Sequence, residues 1–355
     1  MPFRRIAIAS ALSVSVACGS SGSSTPTSPT TTPTTTTPTT PTPVAPTVSW
    51  TNEGTRLTAA QAGQTSTQVL ADATVIRLND GRWRMYVYGN TAYKSAISSD
   101  GLAFTIESGF RMREGAGQSR AWRLDDGRIR IYFSANGISS AVSSDDGTTF
   151  IEESGTRLSA SAAGMSQLTG PGIVRMRSGL YRMYFSDLPI PGEGVRPHQI
   201  KSATSADLVS WTMDSGVRVG TGATMTGNAE HPCAIVNSDG SVTIFYFRNT
   251  DFTLYQSTSS DGVTFNTEQS TGLGLNDPDI VTLSDGTVRL YGGGIDSGGG
   301  YIGSARRATA NALGLMRSFA APGTSGTTFP APPPAPGGRA TADGVRRGQS
   351  SPARH

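Results

Sequence analysis

Five stretches decide the fold of this chain: RWRMYVYG at 82–89, RIRIYFSA at 128–135, LYRMYFSD at 180–187, SVTIFYFR at 241–248 and TVRLYGGG at 287–294. Each has the period of a strand and carries aromatic or small residues toward its end. Each follows a short apolar stretch: DATVI from Asp72, RAWR from Arg120, GPGIV from Gly170, EHPCAI from Glu230 and DPDIV from Asp277. Between the two, Asn79-Asp80-Gly81, Asp125-Asp126-Gly127, Ser238-Asp239-Gly240 and Ser284-Asp285-Gly286 read as hairpin turns in which glycine accepts positive φ.

Working outward, a third, serine-rich strand follows each: YKSAISSD from Tyr93, ISSAVSSD from Ile138, IKSATSAD from Ile200, LYQSTSSD from Leu254 and the shorter YIGSARRA from Tyr301. Four of these run into a strand that opens on an aromatic: FTIESGFRM from Phe104, FIEESGTRL from Phe150, WTMDSGVRV from Trp211 and FNTEQSTGL from Phe265. The fifth unit lacks that strand, but WTNEGTRL from Trp50 matches it at the other end of the repeat region. Units about 47 to 60 residues apart, with the last completed by the first strand, predict an all-β five-bladed propeller of four-stranded blades, closed by its N-terminal strand. Closure protects strand edges that an open solenoid would leave bare. Tyr86, Tyr132, Tyr184, Tyr246 and Tyr291 recur once per unit and are read as packing. Asp100, Asp145, Asp207 and Asp261 of the Ser-x-Asp turns are read as turn formers.

The repeat occupies 48–321 of the 355 residues. The net charge of +3 comes from the ends: Arg4 and Arg5 on one side and four arginines against one aspartate after Ala321 leave the repeat region at −2. A nucleic-acid-binding core would need clustered Lys and Arg, so no nucleic-acid partner is expected. Two cysteines exclude a disulfide-rich scaffold and a four-cysteine zinc site. Phosphate-loop, dinucleotide and zinc-protease motifs are absent, and no metal ligand set is predicted.

Residues 1–18 read as an export signal, with Arg4 and Arg5 before an apolar run from Ile6 to Ala17 that is too short to span a bilayer. Ser15-Val16-Ala17-Cys18 resembles a bacterial lipoprotein signal, with Cys18 as the lipidated residue; ordinary secretion is the alternative. Residues 19–47 are almost wholly Thr, Pro, Ser and Gly, a disordered stalk that would extend roughly 90 Å in polyproline II form. Residues 322–355 read as a disordered tail. The chain is expected to be an exported monomer at the cell envelope, touching membrane only through the lipid. Lipidation of Cys18 would leave Cys233 as a thiol.

The repeat region resembles the five-bladed glycosidase propellers: family 43 of the glycoside hydrolases and its levansucrase and invertase relatives. Asp72-Ala73-Thr74-Val75 is similar to the segment that supplies the family's general base. Glu230-His231-Pro232 is similar to the one that supplies its general acid, and Ser205-Ala206-Asp207-Leu208-Val209-Ser210-Trp211 resembles a turn common in those enzymes. The resemblance implies carbohydrate as partner and inverting hydrolysis, with Asp72 as base and Glu230 as acid. No cofactor is implied, beyond room for a structural calcium ion in the channel. The family's third carboxylate falls where this chain has Gly170-Pro171, and Asp277 before Pro278 is a substitute from the fifth blade. The rival reading is a non-catalytic glycan-binding or surface-interaction propeller. A third is a sialidase-like protein, since Ser143 to Phe150 matches the Asp-box turn of the six-bladed sialidases.

First strands line a propeller channel, so Asp72, Glu230 and Asp277, at matching positions in three blades, are expected to meet at one mouth. Their mutual repulsion would keep Glu230 protonated and Asp72 ionised. Arg120 is a candidate for binding a hydroxyl or carboxylate, Trp122 for stacking on a sugar ring, and His231 for binding a hydroxyl. The insertion SDLPIPGEGVRPH from Ser186 to His198 breaks the repeat and adds Arg196 and His198, with Glu193, as binding candidates.

Overall fold

The computed structural model describes residues 49–307 apart from 191, 195 and 223. The predicted export segment with Cys18, the stalk, the tail and the last residues of the predicted 48–321 domain lie outside the described residues. Five antiparallel sheets form the described part, and it contains no helix. Their innermost strands are Leu70–Arg77, Gly117–Arg123, Gln167–Arg175, Ala229–Val236 and Asn276–Thr282. Each packs against the next around a ring, and the last packs against the first. Blade 5 is completed from the other end of the repeat: Trp50–Thr58 pairs antiparallel with Gly299–Arg307. The architecture is the five-bladed propeller read from the repeat.

Two corrections concern strand limits. The outer strands of blades 1 to 4 are two-residue pairings such as Thr105–Ile106 and Thr212–Met213, not nine-residue strands. In blade 2 the outer edge is split into Ile151–Glu152 and Leu158–Ser159, both paired with Gly137–Ser143. In blades 1 to 3 the chain bends just after these pairings through Gly109, Gly155 and Gly216, at φ of 82°, 77° and 81°.

Blades are joined by one device used five times. The aromatic that opens each outer strand meets, edge to face, the second-strand aromatic of the preceding blade: Tyr86–Phe150, Tyr132–Trp211, Tyr184–Phe265, Phe245–Trp50 and Tyr291–Phe104, with centroids 5.5 to 6.2 Å apart. Such pairs contribute about 0.5–1.5 kcal/mol each beyond area burial. In blade 4 the position belongs to Phe245 and not to Tyr246 as the sequence pattern suggested; Phe245 pairs with Cys233 in the register where Tyr86 pairs with Thr74.

The hydroxyls explain the exchange. Tyr86, Tyr132, Tyr184 and Tyr291 each donate to a carbonyl in the Ser-x-Asp turn of the next blade, Gly147, Leu208, Gly262 and Gly101, at 2.7 to 2.9 Å. Blade 5 lacks such a turn in its sequence, so a hydroxyl on residue 245 would be buried without that partner. Tyr246 instead donates to Glu268 at 2.7 Å.

A second repeated contact was not legible in the motifs. Arg84, Arg130, Arg182 and Arg289 pair with the outer-strand carboxylates Glu107, Glu153, Asp214 and Glu53 at 2.7 to 3.1 Å. Blade 4 has Thr243 at the arginine position, and Glu268 pairs with Arg248 at 2.6 Å. The Ser-x-Asp aspartates are turn formers as expected. Asp100 accepts the N–H groups of Leu102 and Ala103 at 2.8 and 2.9 Å, and these bonds hold its carboxyl down at about 2.

Candidate functional site

Each innermost strand carries a bulge at the same place. The register slips between Ala71 and Thr74, Gly117 and Arg120, Thr169 and Gly172, Glu230 and Cys233, and Asn276 and Asp279. Within each slip one residue is left-handed: Asp72 (φ 54°), Gln118 (43°), Gly170 (66°), His231 (49°) and Asp277 (47°). Four of the five are not glycine; such backbone costs on the order of 1–3 kcal/mol per residue and persists only where its surroundings enforce it. A bulge turns a side chain out of the alternating pattern of its strand. All five residues line one small, open pocket at the channel mouth, together with Ala73, Ser119, Arg120 and Pro171.

This corrects the matched positions. Asp72 and Asp277 lie inside strands, at bulges, and the blade 4 residue that corresponds to them is His231; Glu230 stands one place earlier. The mouth therefore brings together two carboxylates and an imidazole. Side-chain donors of Asp72, His231 and Asp277 lie within 4.8 Å of one another. Nδ1 of His231 pairs with Oδ1 of Asp277, and the Gln118 N–H donates to Asp72 at 3.2 Å. Burial pushes the Asp72 carboxyl above its ordinary value, against the opposing pull of His231, the Gln118 N–H and Arg120.

Glu230 is not among the residues that line this pocket. Its carboxylate is taken by His198 Nδ1 and by the Asn249 amide, the latter at 2.6 Å. Burial pulls its pKa up, but the His198 bond, the nearby His231 and His198 charges and Asn249 outweigh that and hold it below the ordinary glutamate value. The polarity is the reverse of the expected one: Asp72 is raised and Glu230 lowered.

Gly170 has no room for the missing carboxylate. A Cβ there would lie 2.9 Å from Cδ2 of His231.

The remaining candidates divide clearly. Arg120, in the pocket wall, is buried, paired with Asp279 and donating to the carbonyls of Pro171 and Pro278 at 3.2 and 2.8 Å. Asp279 also accepts the Val75 N–H at 2.6 Å and the Thr74 hydroxyl at 3.1 Å. The guanidinium thus ties blade 2 to blades 3 and 5. Trp122 packs edge-on against Tyr181 at 5.9 Å, within the blade interface. Arg196 is committed to Asp187 at 2.9 Å and to the Leu188 carbonyl at 3.1 Å, which folds the insertion back on blade 3. Glu193 caps the Ile190 N–H at 3.0 Å and bonds Ser166. His198, at the end of the insertion, is the candidate that reaches Glu230. Cys233 is a buried thiol 3.8 Å from Asp279.

The chain is similar to the GH43_1 enzyme from Xanthomonas citri, with a TM-score of 0.54 at 14% identity over 72% of this chain and 94% of that one. It is similar to an endo-arabinase from Bacteroides thetaiotaomicron, with a TM-score of 0.53 at 14% identity over 70% and 99%. A thermostable family-43 glycoside hydrolase matches with a TM-score of 0.53 at 14% identity over 78% and 98%. The fold is that of the family-43 glycoside hydrolase propellers. No family model matches the sequence. No curated protein matches it either.

Calcium is the ion that the resemblance leaves room for in the channel. Ca²⁺ takes six to eight oxygen donors. Here an imidazole stands among the donors at the mouth, and the Arg120 guanidinium beside it already holds the carbonyls of Pro171 and Pro278 and the carboxylate of Asp279. The residues do not fit a calcium site.

Proposed function

We propose that this propeller recognises carbohydrate at its channel mouth and does not hydrolyse it by the acid–base pair of its structural neighbours. The observation that carries the reading is the separation of the two expected catalytic carboxylates. Asp72 faces the pocket, whereas Glu230 is held outside its lining by His198 and Asn249. Gly170 contributes no third carboxylate to orient an acid. A saccharide as ligand class is supported by the fold and by the xylotriose complex of the Xanthomonas citri enzyme. The test is calorimetric titration of the purified full-length chain with xylo-, arabino- and galacto-oligosaccharides, beside an assay on the matching aryl glycosides. Binding without turnover is expected. Turnover that is lost in Glu230→Gln would overturn the reading.

A second reading, inverting hydrolysis with Asp72 as base and Glu230 as acid, is favoured by one observation, the place of Asp72 in the pocket. It requires Glu230 to leave His198 on substrate binding. His198→Ala would then raise turnover, while Asp72→Asn would abolish it.

We further infer export to the cell envelope with a lipid on Cys18, from the basic, apolar and Ser-Val-Ala-Cys order of residues 4–18. Labelled palmitate incorporated by the wild type and absent from Cys18→Ser would support it; equal labelling of both would sink it.

A further inference from the structure

The channel mouth holds a donor set that carbohydrate recognition alone does not account for. Asp72, His231 and Asp277 come from blades 1, 4 and 5, and each sits at the left-handed residue of its bulge. One donor atom from each lies within 4.8 Å of the others. Nε2 of His231 and Oδ1 of Asp277 are buried, and Nε2 has no hydrogen-bond partner among the described residues. Two carboxylates are drawn together here, while the nearest arginine, Arg120, is committed to Asp279 and two carbonyls.

We propose that Asp72, His231 and Asp277 bind one divalent transition-metal ion of the zinc, cobalt or manganese class at the mouth of the propeller channel. The distances suit such an ion. Ligand bonds of about 2.0–2.2 Å place neighbouring donors about 3–4 Å apart, so a set gathered within 4.8 Å reaches an ion by side-chain rotation in which the ion replaces the direct contact between His231 and Asp277. The chemistry selects the class: an imidazole with two carboxylates suits zinc, cobalt or manganese, whereas calcium and magnesium seek oxygen alone. The ion would also offset the repulsion between the two carboxylates. Gly170 belongs to the same design, because the absent side chain leaves the space that the His231 ring fills. Three ligands on three blades leave coordination positions open toward the pocket. The assignment concerns the same mouth as the carbohydrate reading but does not depend on it.

The rival for the same geometry is a protonated His231 clamped between two aspartates with no metal. Metal binding separates the two. The purified full-length chain, stripped with EDTA and dialysed, is titrated with Zn²⁺ and with Co²⁺. About one equivalent is expected to bind with micromolar or tighter affinity and to raise the Tm, and Co²⁺ is expected to give visible absorption bands. His231→Gln, Asp72→Asn and Asp277→Asn should each weaken binding at least tenfold. Far-ultraviolet circular dichroism in EDTA identifies any variant that fails to fold, and the remaining variants carry the comparison. Wild-type protein whose Tm is the same in Zn²⁺ and EDTA, with no bound equivalent, would overturn the assignment. So would folded His231→Gln that binds as tightly as the wild type.

Discussion

The Cβ that Gly170 lacks would stand 2.9 Å from Cδ2 and 3.1 Å from Cα of His231, so the two residues divide one space between blades 3 and 4. A carboxylate at 170 and an imidazole at 231 cannot both occupy it without movement of the backbone. The glycine in blade 3 therefore makes the room that the histidine in blade 4 fills.

Gly170→Asp should destabilise the fold by about 1–3 kcal/mol, through the clash and the left-handed backbone at residue 170. Gly170→Asp combined with His231→Gly should recover part of that loss. Denaturant unfolding of the four members of the cycle reads the coupling. Strict additivity would show that the two residues do not share the space.

Arg120→Met should cost about 3–5 kcal/mol, because it strands the Asp279 carboxylate in a site closed to water. Asp279 is fully buried and its partner reaches it from the opposite side of the channel. The double variant Arg120→Met/Asp279→Leu should be less damaging than Arg120→Met alone. Urea midpoints with unchanged slopes would check both.

The blade-joining hydroxyls give opposite expectations at equivalent positions. Tyr86→Phe removes a bond to the Gly147 carbonyl and should cost about 0.5–1.5 kcal/mol. Phe245→Tyr adds a hydroxyl where blade 5 offers no Ser-x-Asp turn, and should also destabilise, by about 1–3 kcal/mol. A stabilising Phe245→Tyr in thermal unfolding would contradict the account of the exchange.

Acid should unfold the propeller through its carboxylates. Asp100 and Asp207 are held at about 2 by N–H groups of their own turns. For Glu107 and Glu153, burial is outweighed by Arg84 and Arg130, by Ser95 and Ser140 and by further arginine charge, so both lie below the ordinary value. A group depressed in the folded state contributes stability that is full above its unfolded pKa of about 4 and is lost as pH falls through the folded value. The Tm should therefore be level near pH 6 and fall between about pH 4 and 2. Glu107→Gln should start from a lower Tm and decline less steeply. A Tm that rises on acidification would oppose this.

Much of the candidate site was legible because bulge residues lie in short motifs. Asp72, His231 and Asp277 were all singled out from DATVI, EHPCAI and DPDIV. What the motifs hid was which residue of each bulge faces the mouth. Glu230 and His231 are adjacent, and a shift of one residue in a strand exchanges channel for flank. Arg120 was read toward a ligand because its pairing with Asp279 spans 159 positions of sequence. The Arg84–Glu107 type of pair went unread for a related reason, since opposite charges on neighbouring strands have no local signature.

The repeat, the blade count and the closing strand can all be read along the chain. These follow from strand period, turn glycines and the match of WTNEGTRL to the outer strands, all of which are local. The chemistry of the mouth emerges when the blades pack together. Five bulges at φ between 43° and 66° set which side chains converge, and they place His231 with Asp72 and Asp277 while His198 and Asn249 draw Glu230 aside. That choice depends on backbone register and on contacts between distant blades, which no single stretch of sequence contains.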